Sequence, residues 1–195
     1  MKIHLFRHGL TVANEKRLYY GATDLPLSDN GVRELKQLKS TFRFPVAEYH
    51  ITSGLQRAKE SMQILFGKTP DVEIDELNEY NFGDFEMKTH DELQHEPNYI
   101  RWITGDVEFP CPSGESRNQF TNRVNRGLEF LLEILAKNTV KSAIVVSHGG
   151  VIAVLMDRLF PEPKKQYYEW VPECGRGYTV EIMEGKTIRY HAVIE

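Results

Sequence analysis

Three observations predict an α/β fold, a mostly parallel sheet with helices on both faces. Short apolar runs of strand character alternate with amphipathic helical patterns along most of the chain. Three of those runs pass directly into polar tails, as parallel strands do where they end at a ligand crevice. The 195 residues suffice for one domain with a sizeable core, and are few for two.

In chain order, residues 2–6 form the first apolar run, ending in Arg7-His8-Gly9. The stretch LPLSDNGVRELKQLKSTF follows, with Ser28 as N-cap and Val32, Leu35 and Leu38 at helical spacing. A second strand at 49–52 runs into Ser53-Gly54-Leu55-Gln56-Arg57, and a helix over 55–66 carries Ala58, Met62 and Leu65 on one face. Residues 72–74 form a weaker strand. Residues 89–116, with Pro97, Pro110 and Pro112, read as an irregular lid or substrate-facing insertion. The long helix over 117–137 repeats apolar residues at Phe120, Val124, Leu128, Leu131 and Leu135. A fourth strand at 143–146 ends in Ser147-His148-Gly149-Gly150, and a last helix spans 150–160. Beyond Pro161, YTVEIMEGKTIRYHAVIE alternates at period two around Glu184-Gly185-Lys186, the mark of a closing hairpin or edge strands.

Composition narrows the function. With 41% apolar and 27% charged residues, the chain reads as an ordinary soluble globular protein. A formal charge of −4 without a Lys/Arg block gives no reason to expect nucleic acid or an anionic membrane as partner. The apolar stretch 143–156 is broken by His148 and falls short of the roughly 18 residues of a spanning helix. The N-terminal run is too short for the core of a secretory signal, so a cytoplasmic location is expected, with Cys111 and Cys174 reduced.

Convergence of the three tails would put Arg7, Arg57, His8 and His148 in one crevice. Any one of them alone has an ordinary explanation, as a hydrogen-bonded histidine or a surface arginine. Together they need an oxyanion between the guanidiniums, whose forked donors suit a phosphoryl group. Helix starts after Arg57 and His148 would add backbone N–H donors. No Walker-type loop, aspartate-rich magnesium cluster or paired Cys/His zinc spacing accompanies them, so neither metal nor cofactor is implied. A neutral imidazole aimed at phosphorus can act as nucleophile, and cationic neighbours help His8 to stay unprotonated. Expulsion of an alkoxide needs a proton. Within DELNEYNFGDFE, Glu79 sits among Leu77, Tyr80 and Phe82, where partial burial and a bound phosphate dianion would keep it protonated.

The stretches LFRHGLTVAN, TSGLQRAKES, LNEYNFGDFE, PSGES and VVSHGGVIAVL, in this order and spacing, resemble the histidine phosphatase superfamily, the phosphoglycerate-mutase-like enzymes. The resemblance implies a three-layer α/β/α sandwich and metal-free phosphoryl transfer. It makes His8 the nucleophile, Glu79 the proton donor, and Arg7, Arg57 and His148 the clamp. Asn14, Gly21 and the Gly149 N–H are implied as further substrate or phosphate contacts, with Thr11 and Tyr20 nearby and Ser53 as a hydroxyl supporting the nucleophile. Ser116 ends the family's Gly-Glu-Ser turn and reads equally well as an N-cap. Two departures stand out: Leu10 replaces the usual Glu or Gln after RHG, making the pocket mouth more apolar, and Met87 replaces the usual Gly of an element in which Phe85 stands for Trp.

Mutases of this type carry a longer basic insertion. Between Glu79 and Ser113 only Lys88 and Arg101 are fully cationic, so hydrolysis of a small phosphorylated substrate is the favoured expectation. The size and the PSGES turn resemble α-ribazole-5'-phosphate phosphatases and broad-specificity acid-phosphatase-like members, a resemblance that implies α-ribazole-5'-phosphate or a sugar or glycerate phosphate as substrate. A phosphoglycerate mutase is the alternative within the class, and a non-catalytic phosphate-binding module the alternative outside it.

Overall fold

The computed structural model describes residues 1–161, 165–183 and 186–193. Its strands are β1 (Lys2–Arg7), β2 (Tyr49–Thr52), β3 (Val72–Glu73), β4 (Ser142–Ser147), β5 (Gly177–Met183) and β6 (Lys186–Val193), and they form one sheet in the order β3-β2-β4-β1-β5-β6. β3, β2, β4 and β1 are parallel, while β5 and β6 close the sheet antiparallel. The expected closing hairpin is therefore present as strands; its turn at 184–185 lies outside the described residues.

Alternation along the central strands separates two layers. Ile3, Leu5, Ala143 and Val145 face one core, and Phe6, Ile144 and Val146 the other. The first core is covered by α6 (Arg117–Lys137) and α7 (Gly149–Leu159), the second by α2 (Asp29–Thr41) and α3 (Gln56–Phe66), and a one-turn helix α1 (Val12–Glu15) follows β1. The apolar stripe read on α6 is the buried one: Phe120, Val124, Leu128, Leu131 and Leu135. Each such side chain contributes about 1.5–3 kcal/mol on leaving water. Caps define where the helices start. Ser28 accepts the Gly31 N–H at 3.0 Å, and Ser116 with Gln119 forms a reciprocal capping box.

Residues 89–116 differ from the irregular insertion expected. They contain α4 (His90–Leu93), started by a Thr89/Glu92 capping box, and α5 (Pro97–Ile103), where Pro97 occupies the first turn. Of the prolines that looked like loop punctuation, Pro97 starts a helix and Pro112 lies in a turn, while Pro110 sits in irregular chain. Leu93, Tyr99, Trp102 and Cys111 are buried, and Trp102 Nε1 donates to the Tyr80 hydroxyl at 3.0 Å. An aromatic cluster of Tyr19, Tyr80, Phe82, Phe85, Tyr99 and Trp102 ties the segment to the core.

Met87 adopts φ +62°, the left-handed conformation that suits the glycine usual at this position. Its N–H donates to Tyr19 O at 2.7 Å, which holds the turn against that conformational preference. The Met87→Gly variant is expected to raise the thermal midpoint by about 1–4 °C, since relief of the left-handed strain outweighs the added freedom of the unfolded chain. Thermal unfolding followed by circular dichroism measures it, and a lower midpoint would contradict the strain.

Candidate active site

Because β1, β4 and β2 are parallel and in register, with Arg7 opposite Ser147 and Thr52 opposite Val146, their tails leave the sheet at one edge. The structure brings Arg7, His8, Ser53, Arg57, His148 and Gly149 together there. Arg57 is not on the strand tail: α3 begins at Gln56, so Arg57 lies in its first turn and points back into the crevice.

His8 is 2% exposed, and its ring centroid lies 5.1 Å from that of His148. Its Nδ1 is 2.6 Å from Gly9 O. A carbonyl can only accept, so Nδ1 carries the hydrogen and Nε2 keeps its lone pair. Gly9 is itself pinned, its N–H donating to Ser61 Oγ at 2.9 Å. Burial, then Arg57 and Arg7, hold the His8 pKa well below 6.5, so the ring is neutral.

Arg57 is completely buried and its hydrogen bonds go to uncharged acceptors. Nη2 donates to Gly21 O at 2.7 Å, Nη1 to Thr23 O at 3.0 Å and Nε to His148 Nδ1 at 3.3 Å. The last contact makes His148 Nδ1 an acceptor, so Nε2 carries the hydrogen and donates it to Ser53 Oγ at 2.7 Å. Burial, then Arg57, keeps His148 neutral as well. The resemblance placed Ser53 beside the nucleophile; its hydroxyl meets the other histidine instead. Gly21 also differs from expectation. Its N–H is committed to Glu86 at 3.2 Å and its carbonyl to Arg57, so it holds the clamp and does not face a ligand through its N–H. A side chain there would collide with Tyr80 O, 1.7 Å from a built Cβ.

Arg7 Nη1 donates to Pro172 O at 2.9 Å, while its buried Nε has no partner among the described residues. Such an unpaired donor fits a site made for an oxyanion. Asn14 Oδ1 accepts from Thr11 N–H, the Thr11 hydroxyl and the Tyr20 hydroxyl, leaving its NH₂ to offer. Gly149 is the first residue of α7, where an N–H has no partner within the helix. Leu10 shares a groove of about 800 Å³ with Arg7, Asn14, Leu38 and Phe42, which gives that wall an apolar side.

Glu79 is half-buried, and its two carboxylate oxygens accept the Tyr80 and Gly150 N–H groups, each at 3.0 Å. Arg123 of α6 holds the approach to it, donating to the carbonyls of Glu76, Asn78 and Glu79 and pairing with Glu115 at 2.5 Å. Arg123 was not legible as part of the site, since a lone cation on a helix looks like surface, and Glu115 stood within PSGES without a role of its own. Glu86 was also missed. Its carboxylate accepts the N–H groups of Gly21, Ala22, Thr23 and Phe82 and the Thr23 hydroxyl, so it gathers the loop that carries the carbonyls for Arg57. Among the described residues, no group of three or more His, Cys, Asp or Glu is placed to hold a metal ion.

A buried neutral imidazole with a directed lone pair, two guanidiniums around it and a carboxyl nearby are an arrangement suited to phosphoryl transfer. The histidine phosphatase superfamily (branch 1) model matches residues 3–189, and the chain belongs to that family and is a phosphatase. The adenosylcobalamin/alpha-ribazole phosphatase of Salmonella typhi is 34% identical over 95% of this chain and 92% of its own length. The "Probable phosphoglycerate mutase GpmB" of Escherichia coli O1:K1 / APEC is 28% identical over 84% and 76%. The crystal structure of the alpha-ribazole phosphatase from Shigella flexneri superposes with a TM-score of 0.84 at 28% identity, covering 96% of this chain and 93% of that one.

Two expectations follow from the geometry. Glu86→Ala is expected to lower kcat/KM on the order of 10²-fold by loosening the loop behind Arg57; steady-state kinetics decide, and a loss under about threefold would separate Glu86 from the clamp. The histidines link pH to stability. Their native pKa values lie below the unfolded 6.5, so the unfolded chain binds the extra protons as pH falls through that value. Stability is then lost by up to about 1.4 kcal/mol per pH unit for each ring. Urea midpoints at about pH 7.5 and 5.5 test this, and level midpoints would mean that the native rings take up protons.

Proposed function

We propose that the chain hydrolyses a phosphomonoester through a phosphohistidine on His8. The observation that carries this is the His8 ring itself: one nitrogen locked to Gly9 O, the other free, and the whole ring neutral between two arginines. Nε2 attacks phosphorus as the bond to the ester oxygen breaks, and Glu79 gives that oxygen its proton. Arg7, Arg57, Asn14 and the Gly149 N–H hold the phosphoryl oxygens, while His148, braced by Ser53, shares the clamp. Water then attacks phosphorus, the P–Nε2 bond breaks and Glu79 takes the proton back.

The substrate reading is α-ribazole-5'-phosphate, supported by the 34% identical relative. The mutase alternative rests on the 28% identical one. Hydrolysis is favoured because the cations of the 79–113 stretch are already engaged: Arg101 pairs with Asp106 at 2.9 Å and Lys88 donates to Asp84 O at 2.8 Å. Both cysteines are unpaired thiols, which fits a cytoplasmic setting.

The test compares leaving groups. Glu79→Gln is expected to cost roughly 10²–10⁴-fold on α-ribazole-5'-phosphate and far less on nitrophenyl phosphate, whose leaving group needs no proton. His8→Ala is expected to remove both activities. Equal losses on the two substrates would take the acid role from Glu79, and residual His8→Ala turnover within about tenfold of wild type would end the covalent reading.

A further inference from the structure

The face of the phosphoryl group opposite His8 belongs first to the leaving oxygen and then to the attacking water, and Glu79 serves both. A second polar oxygen stands beside Glu79. Residues Tyr167–Trp170 form a 3-10 turn anchored by buried Trp170, and the first of them reaches over the start of α7. A Cβ built on Gly150 would lie 2.5 Å from Glu79 Oε1 and 2.7 Å from Tyr167 Oη, so carboxylate and phenol meet over the same bare backbone. Tyr167 as a whole is 40% exposed, and burial, and after it the Glu79 charge, push its phenol pKa up. Tyr167 thus brings a neutral hydroxyl beside the acid while remaining partly open to solvent.

We propose that Tyr167 orients the water that breaks down the phosphohistidine and so biases the enzyme toward hydrolysis. The inference rests on the reading of His8 and Glu79 given above. Water carries two hydrogens: one is taken by the Glu79 carboxylate, and the other is donated to Tyr167 Oη, which leaves an oxygen lone pair aimed at phosphorus. The new P–O bond forms as the P–Nε2 bond breaks, the electron pair returns to Nε2, and the proton goes to Glu79. An alcohol has a single hydroxyl hydrogen. Once Glu79 takes it, the alcohol has no hydrogen left to donate to Tyr167 Oη, so the tyrosine favours water over a second alcohol.

The experiment uses nitrophenyl phosphate as donor and glycerol as competing acceptor. Nitrophenolate reports total turnover, inorganic phosphate reports hydrolysis, and their difference reports transfer to glycerol. Tyr167→Phe is expected to raise the transfer-to-hydrolysis ratio about five- to twentyfold, the effect of losing one hydrogen bond to the water, and to expose a burst of nitrophenolate as breakdown slows. Tyr168→Phe, altering an 80% exposed neighbour, is expected to keep the wild-type ratio. An unchanged ratio in Tyr167→Phe, or an equal rise in Tyr168→Phe, overturns the inference. Rapid quenching separates it from its premise: wild-type enzyme that acquires no acid-labile, base-stable phosphate overturns the phosphohistidine reading as well, whereas labelled enzyme with an unchanged Tyr167→Phe ratio overturns the role of Tyr167 alone.

Discussion

The buried Arg57 guanidinium is the constraint from which the site follows. A fixed charge without water is costly unless its donors are answered, and here each of the three nitrogens donates once, to two carbonyls and an imidazole nitrogen, none of them charged. Those acceptors leave the positive field intact. It keeps both histidines neutral, and it remains available to a phosphoryl dianion. A carboxylate paired with Arg57 would have been the easier way to bury it, and would have filled the place of the substrate.

Much of the surrounding structure serves that one group. The loop at 21–23 presents its carbonyls because Glu86 draws in its N–H groups, and it approaches so closely because Gly21 has no side chain. His148 accepts from Arg57 because Ser53 stands ready to receive its other hydrogen. On the opposite side, Ser147 Oγ donates to Leu77 O and Arg123 holds the carbonyls of 76–79, so the strand end and the long helix together set the position of Glu79. Catalytic groups and frame are separate in sequence but continuous in hydrogen bonds.

What could be read from the chain was what repeats or ends abruptly. The period of apolar residues revealed α2, α3, α6 and the strands, because burial imposes that period. The tails at Arg7-His8, Ser53 to Arg57 and Ser147-His148 were legible because polar residues after apolar runs need a reason. Glu86 and Glu115 stood inside the stretches LNEYNFGDFE and PSGES but carried no role there, and Arg123 looked like an ordinary surface charge. Each acts on backbone groups far away in sequence, so its role shows only once the chain is folded. The partner of Ser53 was misread for a similar cause, since two histidines 5.1 Å apart compete for one hydroxyl and only geometry decides. Helix α5 was hidden behind Pro97, although a proline at a helix start breaks no hydrogen bond, and α4 is a single turn too short to show a period.

The hydrogen bond from His8 Nδ1 to Gly9 O has an effect beyond aiming the ring. An imidazole that takes a phosphoryl group on one nitrogen while retaining hydrogen on the other becomes a cation, and a cationic ring parts from phosphorus readily. In the proposed covalent route the carbonyl would hold that hydrogen in place, and the intermediate would stay at high group-transfer potential instead of settling into a neutral, durable phosphoramidate. The same 2.6 Å contact that leaves Nε2 as the atom with a lone pair would then keep the phosphoryl group restless, ready for so weak a nucleophile as water.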